Sequence, residues 1–422
     1  MDAGHQTLDS LADPTDLQSA ATKAYVDPSA STGWSLKGNA GTDPQDHFMG
    51  TTDNNPVVFR VNNQEKMRLD TNGTLSFSGK ENSIYMGKGA GQADDATENR
   101  NVFIGDSALY HNGLNASVST DATGNTAVGS KSMFYNRTGY KNTAAGSQAM
   151  YYNTSGYYNT ASGMMALRDN TEGIGNVATG NLSLSENTTG DYNTAVGLST
   201  LQNDDDGKYN TACGRAALFY NVAGRYNTAL GNFSGPYSSS YSNLVNTTAI
   251  GNNTKVYASN TVRIGDSWVT SIGGSVGWSN LSDGRFKTQI NTDVPGLDFI
   301  LKLPPVTFHW DLGALEDFRS EDNAAKGEED PAGRDPKMAQ ARREKEQKVY
   351  SGFVAQQVEK AAEACGYDFS GIIKPTTEKS VYNLTYSEFV VPLVKAVQQQ
   401  QKLIEQQQQQ IEQLQQQVRK LK

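Results

Sequence analysis

The sequence predicts a mainly β fold. A solenoid of short repeats fills its middle, a small β-domain precedes it, and an α+β segment ending in a long helix follows. Three observations carry this. First, Asn125-Thr126-Ala127-Val128-Gly129 recurs at Asn142, Asn159, Asn176, Asn193, Asn210 and Asn227, always at the same step of seventeen. Second, the chain is turn-rich and thinly apolar, with 41 Gly among 422 residues, 36% hydrophobic and 19% charged. Third, Val390, Val397, Ile404, Ile411 and Val418 lie seven apart near the C-terminus. A fixed short period marks a stacked repeat. Low apolar content suits an array whose neighbours share a thin core.

Composition also excludes function classes. The length calls for several modules. A net charge of -9 with no basic stripe argues against nucleic-acid binding. Cys213 and Cys365 fall in different modules, so no disulfide framework is expected. His5, His47, His111 and His309 lack metal-ligand spacing, so neither a metal nor another cofactor is expected. No apolar run of about 18 residues occurs, so no membrane insertion is expected. Met1-Asp2-Ala3-Gly4 does not open as an export signal.

Residues 1–31 read as a polar linker or attachment segment. Its phrase Ala21-Thr22-Lys23-Ala24-Tyr25-Val26-Asp27 resembles a linker common in phage tail fibres and related surface fibres. Residues 32–80 read as a small β-domain, with Trp34 in its core. Val57–Val61 and Met67–Asp70 are strands joined by a turn at Asn62-Asn63-Gln64-Glu65. Asp70-Thr71-Asn72-Gly73 turns into a further strand, Thr74–Phe77.

Residues 81–265 hold the repeats. A Gly follows each Asn by four residues (Gly129 to Gly231) and another by fourteen (Gly139 to Gly224). A Met or Leu follows by eight: Met133, Met150, Leu167, Leu184, Leu201, Leu218. Degenerate copies at Asn82–Gly87, Asn101–Gly105, Thr247–Gly251 and Asn260–Gly265 extend the array. Seventeen residues are too few for a helical pair, which needs roughly thirty or more. They fit one β-coil of two short strands and two turns, with Gly and Asn supplying positive φ. The Ala and Met/Leu positions then stack as internal ladders at about 4.8 Å per rung. So thin a core predicts three chains side by side. The pattern is similar to the head repeats of trimeric autotransporter adhesins, whose coils are usually shorter; a triple β-helix with exchanged strands is the alternative.

Residues 266–281 read as a junction, with Trp268, Val269, Ile272 and Trp278 in a strand pair. Residues 282–396 read as α+β. Gly296–Leu303 is a short amphipathic helix, Val306–Trp310 a strand, and 319–346 a charged loop or helical excursion. Gly352–Glu359 opens a helix after a strand. Residues 397–422 read as a trimeric coiled coil. The isoleucines and valines fill one core position. Leu393, Leu414 and Leu421 fill the other, with Gln400 and Gln407 interrupting it.

Between the repeats and the α+β segment stands Ser282-Asp283-Gly284-Arg285-Phe286-Lys287. With Gly296–Leu303, Gly352–Glu359 and the heptads, it resembles the self-cleaving intramolecular chaperones of endosialidase-type tailspikes. In that family the motif opens Ser-Asp, followed by an Arg and by a Lys five residues after the Ser. Ser282, Asp283, Arg285 and Lys287 match those places. The resemblance implies a chaperone that trimerises a β-rich fibre and then cuts it off with a Ser–Lys pair.

The chemistry needed is plain. A serine hydroxyl needs a base, and a lysine serves once it is desolvated enough to lose its proton. Ser282 is then the nucleophile, Lys287 the base, and Leu281–Ser282 the scissile bond, with Asp283 and Arg285 holding the loop.

The expected protein is therefore a homotrimeric surface or tail fibre, extracellular, on a virion or a bacterial cell. It binds a cell-surface glycan or protein. Its only enzymatic act is on itself. Phe134, Tyr135, Tyr151, Tyr152, Phe219, Tyr220 and the Ser/Tyr insert at 232–243 are candidate receptor contacts or packing between chains; no ligand residue is assigned. The alternatives are a glycan-degrading tailspike and a fibre whose chaperone does not cut. Degradation needs paired acids in a groove, and the repeats offer only Asp204-Asp205-Asp206, which read as a turn.

Overall fold

The computed structural model describes residues 49–77, 83–94, 100–114, 121–320, 336–376 and 380–421. The segment 1–31 and Trp34 lie outside these. The chain divides into two compact units, residues 1–79 and 80–422.

In the first unit β1 (Val57–Val61), β2 (Gln64–Leu69) and β3 (Leu75–Phe77) form an antiparallel sheet. Asn62 and Asn63 have φ of 52° and 59°, the left-handed pair that a two-residue hairpin turn needs. The turn is thus shorter than the four residues expected. Gln64 and Glu65 already belong to β2, paired with Val61 and Arg60.

The second unit begins with the solenoid. Its strands are β4 (Ile84–Met86), β5 (Val102–Ile104), β6 (Thr126–Val128), β7 (Thr143–Ala145), β8 (Thr160–Ser162) and β9 (Val177–Thr179). They continue as β10 (Thr194–Val196), β11 (Thr211–Cys213), β12 (Thr228–Leu230), β14 (Thr248–Ile250) and β16 (Val262–Ile264). All eleven form one parallel sheet in chain order. The degenerate end copies therefore belong to the array, although Asn82 lies outside the described residues. Between them β13 (Gly235–Pro236), on the Ser/Tyr insert, pairs with β15 (Lys255–Val256) in the next coil, and Tyr237 and Tyr241 of the insert are buried with Tyr257. Each coil pairs in register with the next coil of the same chain, Ala144 between Ala127 and Ala161.

Each regular coil holds one strand, where two were expected; the coils of β12 and β14 add the short second strands β13 and β15. On the opposite wall Lys131 and Met133 take φ of 56° and 47°, and Met150, Leu167, Leu184, Leu201 and Leu218 repeat the conformation. Alternating left-handed residues cannot form a β-strand, and each costs roughly 1–2 kcal/mol. The wall is held by hydrogen bonds between coils instead, such as Met133 N to Ala149 O at 2.9 Å and Tyr135 N to Tyr151 O at 3.0 Å. Burial offsets the strain. The Met/Leu ladder and the Ala ladder facing it are completely buried, at about 1.5–3 kcal/mol for each Leu or Met.

Asparagine has a different job from the one expected. Positive φ falls mainly on the residue before it, as at Lys141, Tyr158 and Tyr192. The repeat Asn is buried and its side chain links coils. Asn125 Oδ1 accepts from the backbone N–H of Asn142 at 3.0 Å, while Asn125 Nδ2 donates to Gly139 O at 2.8 Å. A second ladder runs eleven residues further along each coil. Asn136, Asn153, Asn170 and Asn187 pass side-chain amide to side-chain oxygen at 2.7–2.9 Å. Asp204 occupies a place in this second ladder and is completely buried; it is not part of a surface turn.

The glycine four residues after the repeat Asn is dictated by the stacking. Gly146 has φ +146°, and a Cβ there would lie 2.3 Å from Gly163 O in the next coil.

No strand forms among residues 266–281, against the expected strand pair. The segment is Gly/Ser-rich, and Trp278 is 87% exposed, so nothing in one chain gives a strand a face to pack against. Beyond it come α1 (Leu297–Ile300), β17 (Val306–Phe308), α2 (Leu312–Ser320), α3 (Pro336–Gln347), β18 (Tyr350–Gly352) and α4 (Ala355–Glu363). Then follow β19 (Ile372–Ile373), β20 (Asn383–Leu384) and α5 (Val390–Leu421). β17 pairs with β18 and β19 with β20, both antiparallel. Phe299, Leu303, Val358, Phe369 and Phe389 form the core. The charged tract is helical where it is described, in α2 and α3; residues 321–335 lie outside the described residues. α5 buries Pro392 and Ala396, and from Val397 on it is exposed in one chain. No described helix is long and apolar enough to cross a membrane.

Candidate functional site

Ser282 lies where the extended junction meets a single 3₁₀ turn, Gly284–Phe286. Asp283 caps that turn. Its Oδ1 accepts from the backbone N–H of Arg285 at 2.9 Å, and its Oδ2 accepts from Arg285 Nη2 at 2.6 Å. An Asp at this position favours the turn because it satisfies an otherwise orphaned amide. The Arg285 guanidinium and that amide hold the Asp283 carboxyl below its usual range. The turn carries the chain back on itself, so a residue five positions on can reach the serine. Lys287 Nζ donates to Ser282 Oγ at 2.8 Å.

The structure thus brings Ser282 and Lys287 together and puts Asp283 and Arg285 beneath them as a clamp. Leu281 precedes the pair and is 83% exposed. The arrangement is the one an acyl shift would need. Ser282 Oγ would attack the Leu281 carbonyl carbon and give its proton to an unprotonated Lys287. The C–N bond would break as the Ser282 nitrogen takes a proton from Lys287, and water would hydrolyse the ester to the Leu281 carboxylate and the Ser282 amine. A free-base lysine requires a desolvated setting, and Ser282 and Lys287 are both exposed in one chain.

A second contact ties this region to the solenoid. Lys345 of α3 donates to Ser267 O at 2.7 Å and Val269 O at 2.9 Å, and Arg342 lies 5.5 Å from the Trp268 ring. Burial pushes the Lys345 amine below its usual range. Sequence reasoning missed this contact, which joins distant parts of the chain from inside a charged tract.

The candidate receptor aromatics stand in columns along the solenoid. Phe134 stacks on Tyr151 at 5.3 Å and Tyr135 on Tyr152 at 5.6 Å, while Phe219 and Tyr220 meet edge-on. Stacking leaves mostly ring edges outward. Beside the first pair of columns opens a cleft of about 930 Å³ lined by Tyr135, Arg137, Tyr152, Arg168 and Asp169. Among the described residues no group of His, Cys, Asp and Glu is arranged to hold a metal ion.

No curated relative and no solved structure matches the chain. One family model does, over residues 282–367. The segment that opens on Ser282 is similar to that family, the chaperone of endosialidase.

Proposed function

We propose that the chain is a homotrimeric fibre subunit whose C-terminal part, from Ser282, drives trimerisation and then cuts itself off at Leu281–Ser282. The observation that carries this is the 2.8 Å contact from Lys287 Nζ to Ser282 Oγ, placed at the first residue of the matched segment and directly after a solenoid.

Trimerisation is supported by apolar surface that one chain leaves uncovered. Val397, Ile404, Ile411 and Val418 of α5 are about half exposed. Val128, Val196, Leu230 and Ile250 line the outer face of the solenoid sheet, and Trp278, Leu281 and Phe286 stand out around the cut site. Joining three helices in register raises the local concentration of three slow-folding β-arrays. It also offers the cover that the Ser282–Lys287 pair lacks, so cutting follows assembly. The Tyr135–Arg168 cleft is the surface we assign to a cell-surface glycan or protein receptor. Ring edges beside two guanidinium groups suit a polar ligand.

The test is expression of full-length protein with Ser282→Ala and Lys287→Ala variants. Wild type yields two fragments, the smaller starting at Ser282, and each variant one intact chain. Sedimentation of the Ser282→Ala protein gives about three times the 45.6 kDa chain mass. A wild type that stays whole removes the cutting and leaves the non-cleaving fibre. A monomeric variant removes the assembly.

A further inference from the structure

The second asparagine ladder has one faulty rung. At each regular rung the later Asn donates its amide to the side-chain oxygen of the Asn one coil before: Asn153 to Asn136 at 2.7 Å, Asn170 to Asn153 at 2.9 Å, Asn187 to Asn170 at 2.8 Å. The same amide also donates to a glycine carbonyl three residues on, as Asn187 does to Gly190 O. Asp204 takes the next place, one coil after Asn187, and has no amide to give. Asn187 Oδ1 is buried and has no hydrogen-bond partner. On its other side the rung is regular, since Asp204 Oδ1 accepts from Asn221 Nδ2 at 2.5 Å. Asp204 Oδ2 accepts a long bond, 3.3 Å, from Asn193 Nδ2. The oxygen standing where an amide belongs is therefore set among acceptors: Asn187 Oδ1 beneath it, and Gly207 O, which takes its own proton from Asn193 at 2.7 Å.

We propose that Asp204 is a carboxylic acid in the folded solenoid, its O–H donating to Asn187 Oδ1, and that loss of this proton unlocks the array at this coil as pH rises. A neutral carboxyl has the one donor that the rung requires, while a carboxylate has none. The electrostatics favour the same state. Desolvation raises the Asp204 pKa well above the usual carboxyl value, and the neighbouring Asp206 and Asp205 add to it, with Asn221 opposing. Among the described residues around it, no cation offsets the charge. The coils on either side face it with the amides of Asn187, Asn193 and Asn221. Glu186 and Arg225 are exposed. Lys208 is paired with Asp191, and Asp205 takes the Thr188 hydroxyl. The folded pKa lies above the unfolded one. The rung is thus intact below the ordinary carboxyl range and is lost as pH rises through the folded value.

Hydrogen exchange on the full chain tests this across acid to alkaline pH, corrected for intrinsic exchange rates. In wild type the opening constant of residues 187–210 rises by up to tenfold per pH unit between the ordinary carboxyl pKa and the folded one, then levels off. In Asp204→Asn, which restores a regular rung, it stays flat and the coil is protected at high pH. Infrared spectra of wild type at neutral pH carry a protonated-carboxyl carbonyl band that Asp204→Asn lacks. Matching pH profiles in the two proteins overturn the proposal. So does a neutral wild type without that band.

Discussion

Asn153 donates its side-chain amide to Asn136 Oδ1 across 2.7 Å of buried interior. The same group also donates to Gly156 O, and its own oxygen accepts from Asn170. Asn153→Ala therefore strands Asn136 Oδ1, while Gly156 O keeps the Asn142 amide and the Asn170 amide keeps Gly173 O. At about 1–3 kcal/mol for the buried unsatisfied group and about 0.5–1.5 kcal/mol for each of the two other bonds lost, the expected loss is about 3 kcal/mol. Denaturation of the solenoid under conditions that keep it reversible checks this. A loss under about 1 kcal/mol, the low end for one such group, means that the ladder only fills space.

Gly146→Ala is expected to be worse than its single methyl suggests. The backbone there has φ +146°, and the new carbon meets the Gly163 carbonyl oxygen at 2.3 Å. Coil spacing is fixed by hydrogen bonds along both walls, so the clash cannot relax locally. The expected cost is roughly 3 kcal/mol or more, with loss of soluble yield. A control at Gly274, where an added Cβ meets nothing closer than 3.8 Å, leaves yield unchanged.

Asp283→Ala removes the cap that shapes the turn between Ser282 and Lys287. Loss of a cap loosens local order without abolishing it, so the proposed self-cleavage should slow by roughly fivefold to tenfold without stopping, timed by the appearance of the smaller fragment. The pH dependence has a definite sign. Arg285 depresses the Asp283 pKa, so the cap is intact above the ordinary carboxyl range and is lost as pH falls through the depressed value. The acid limb contributed by the cap should vanish in the variant. An unchanged rate leaves Asp283 no positioning role.

Lys345→Met keeps the aliphatic stem and loses both bonds to the junction carbonyls of Ser267 and Val269. At about 1 kcal/mol per bond, exchange of amides in residues 266–281 should quicken roughly thirtyfold. Protection of the coils from Thr126 to Leu230 should not change. If the junction amides are unaffected, Lys345 is incidental to holding it.

The array was legible because its signals repeat. One Asn, two Gly, one Ala and one Met/Leu in each regular coil, those that begin at Asn125 to Asn210, fix the stacking and identify the inner face. What the pattern could not convey is how each residue is used. Gly was expected to supply positive φ and does so at Gly129 and its equivalents; Asn was expected to as well, yet the other positive-φ positions include Met133, Leu167 and their equivalents, where propensity alone argues against it. Stacking energy summed over many coils overrides a penalty paid singly. Asn136, Asn153, Asn170, Asn187 and Asn221 also keep the period of the repeat, with one place skipped at Asp204, so the second ladder was there to be read. It was hidden because polar residues between turns look like solvent-facing ones. The Ser282–Lys287 pairing was implied by the resemblance to the self-cleaving chaperones, and the capped turn supplies the geometry that spacing alone did not. The exposure of that pair was not legible, because burial depends on what the rest of the assembly covers. The strand expected at Trp268–Trp278 failed for the same reason: aromatic residues among glycines specify no partner.

Every regular coil offers its neighbour above the same groups that it accepts from its neighbour below. Cutting the solenoid between two regular coils and inserting or deleting one whole repeat therefore recreates matching ends. Length becomes a quantity that changes in whole steps of about 4.8 Å, by duplication or loss of a short stretch of gene, with no new interface to invent. The steps are not all equivalent. A unit copied from around Asn153 is neutral, whereas one carrying Asp204 brings its acid with it. A solenoid that grows by slippage can thus acquire length and the proposed pH response from the same event.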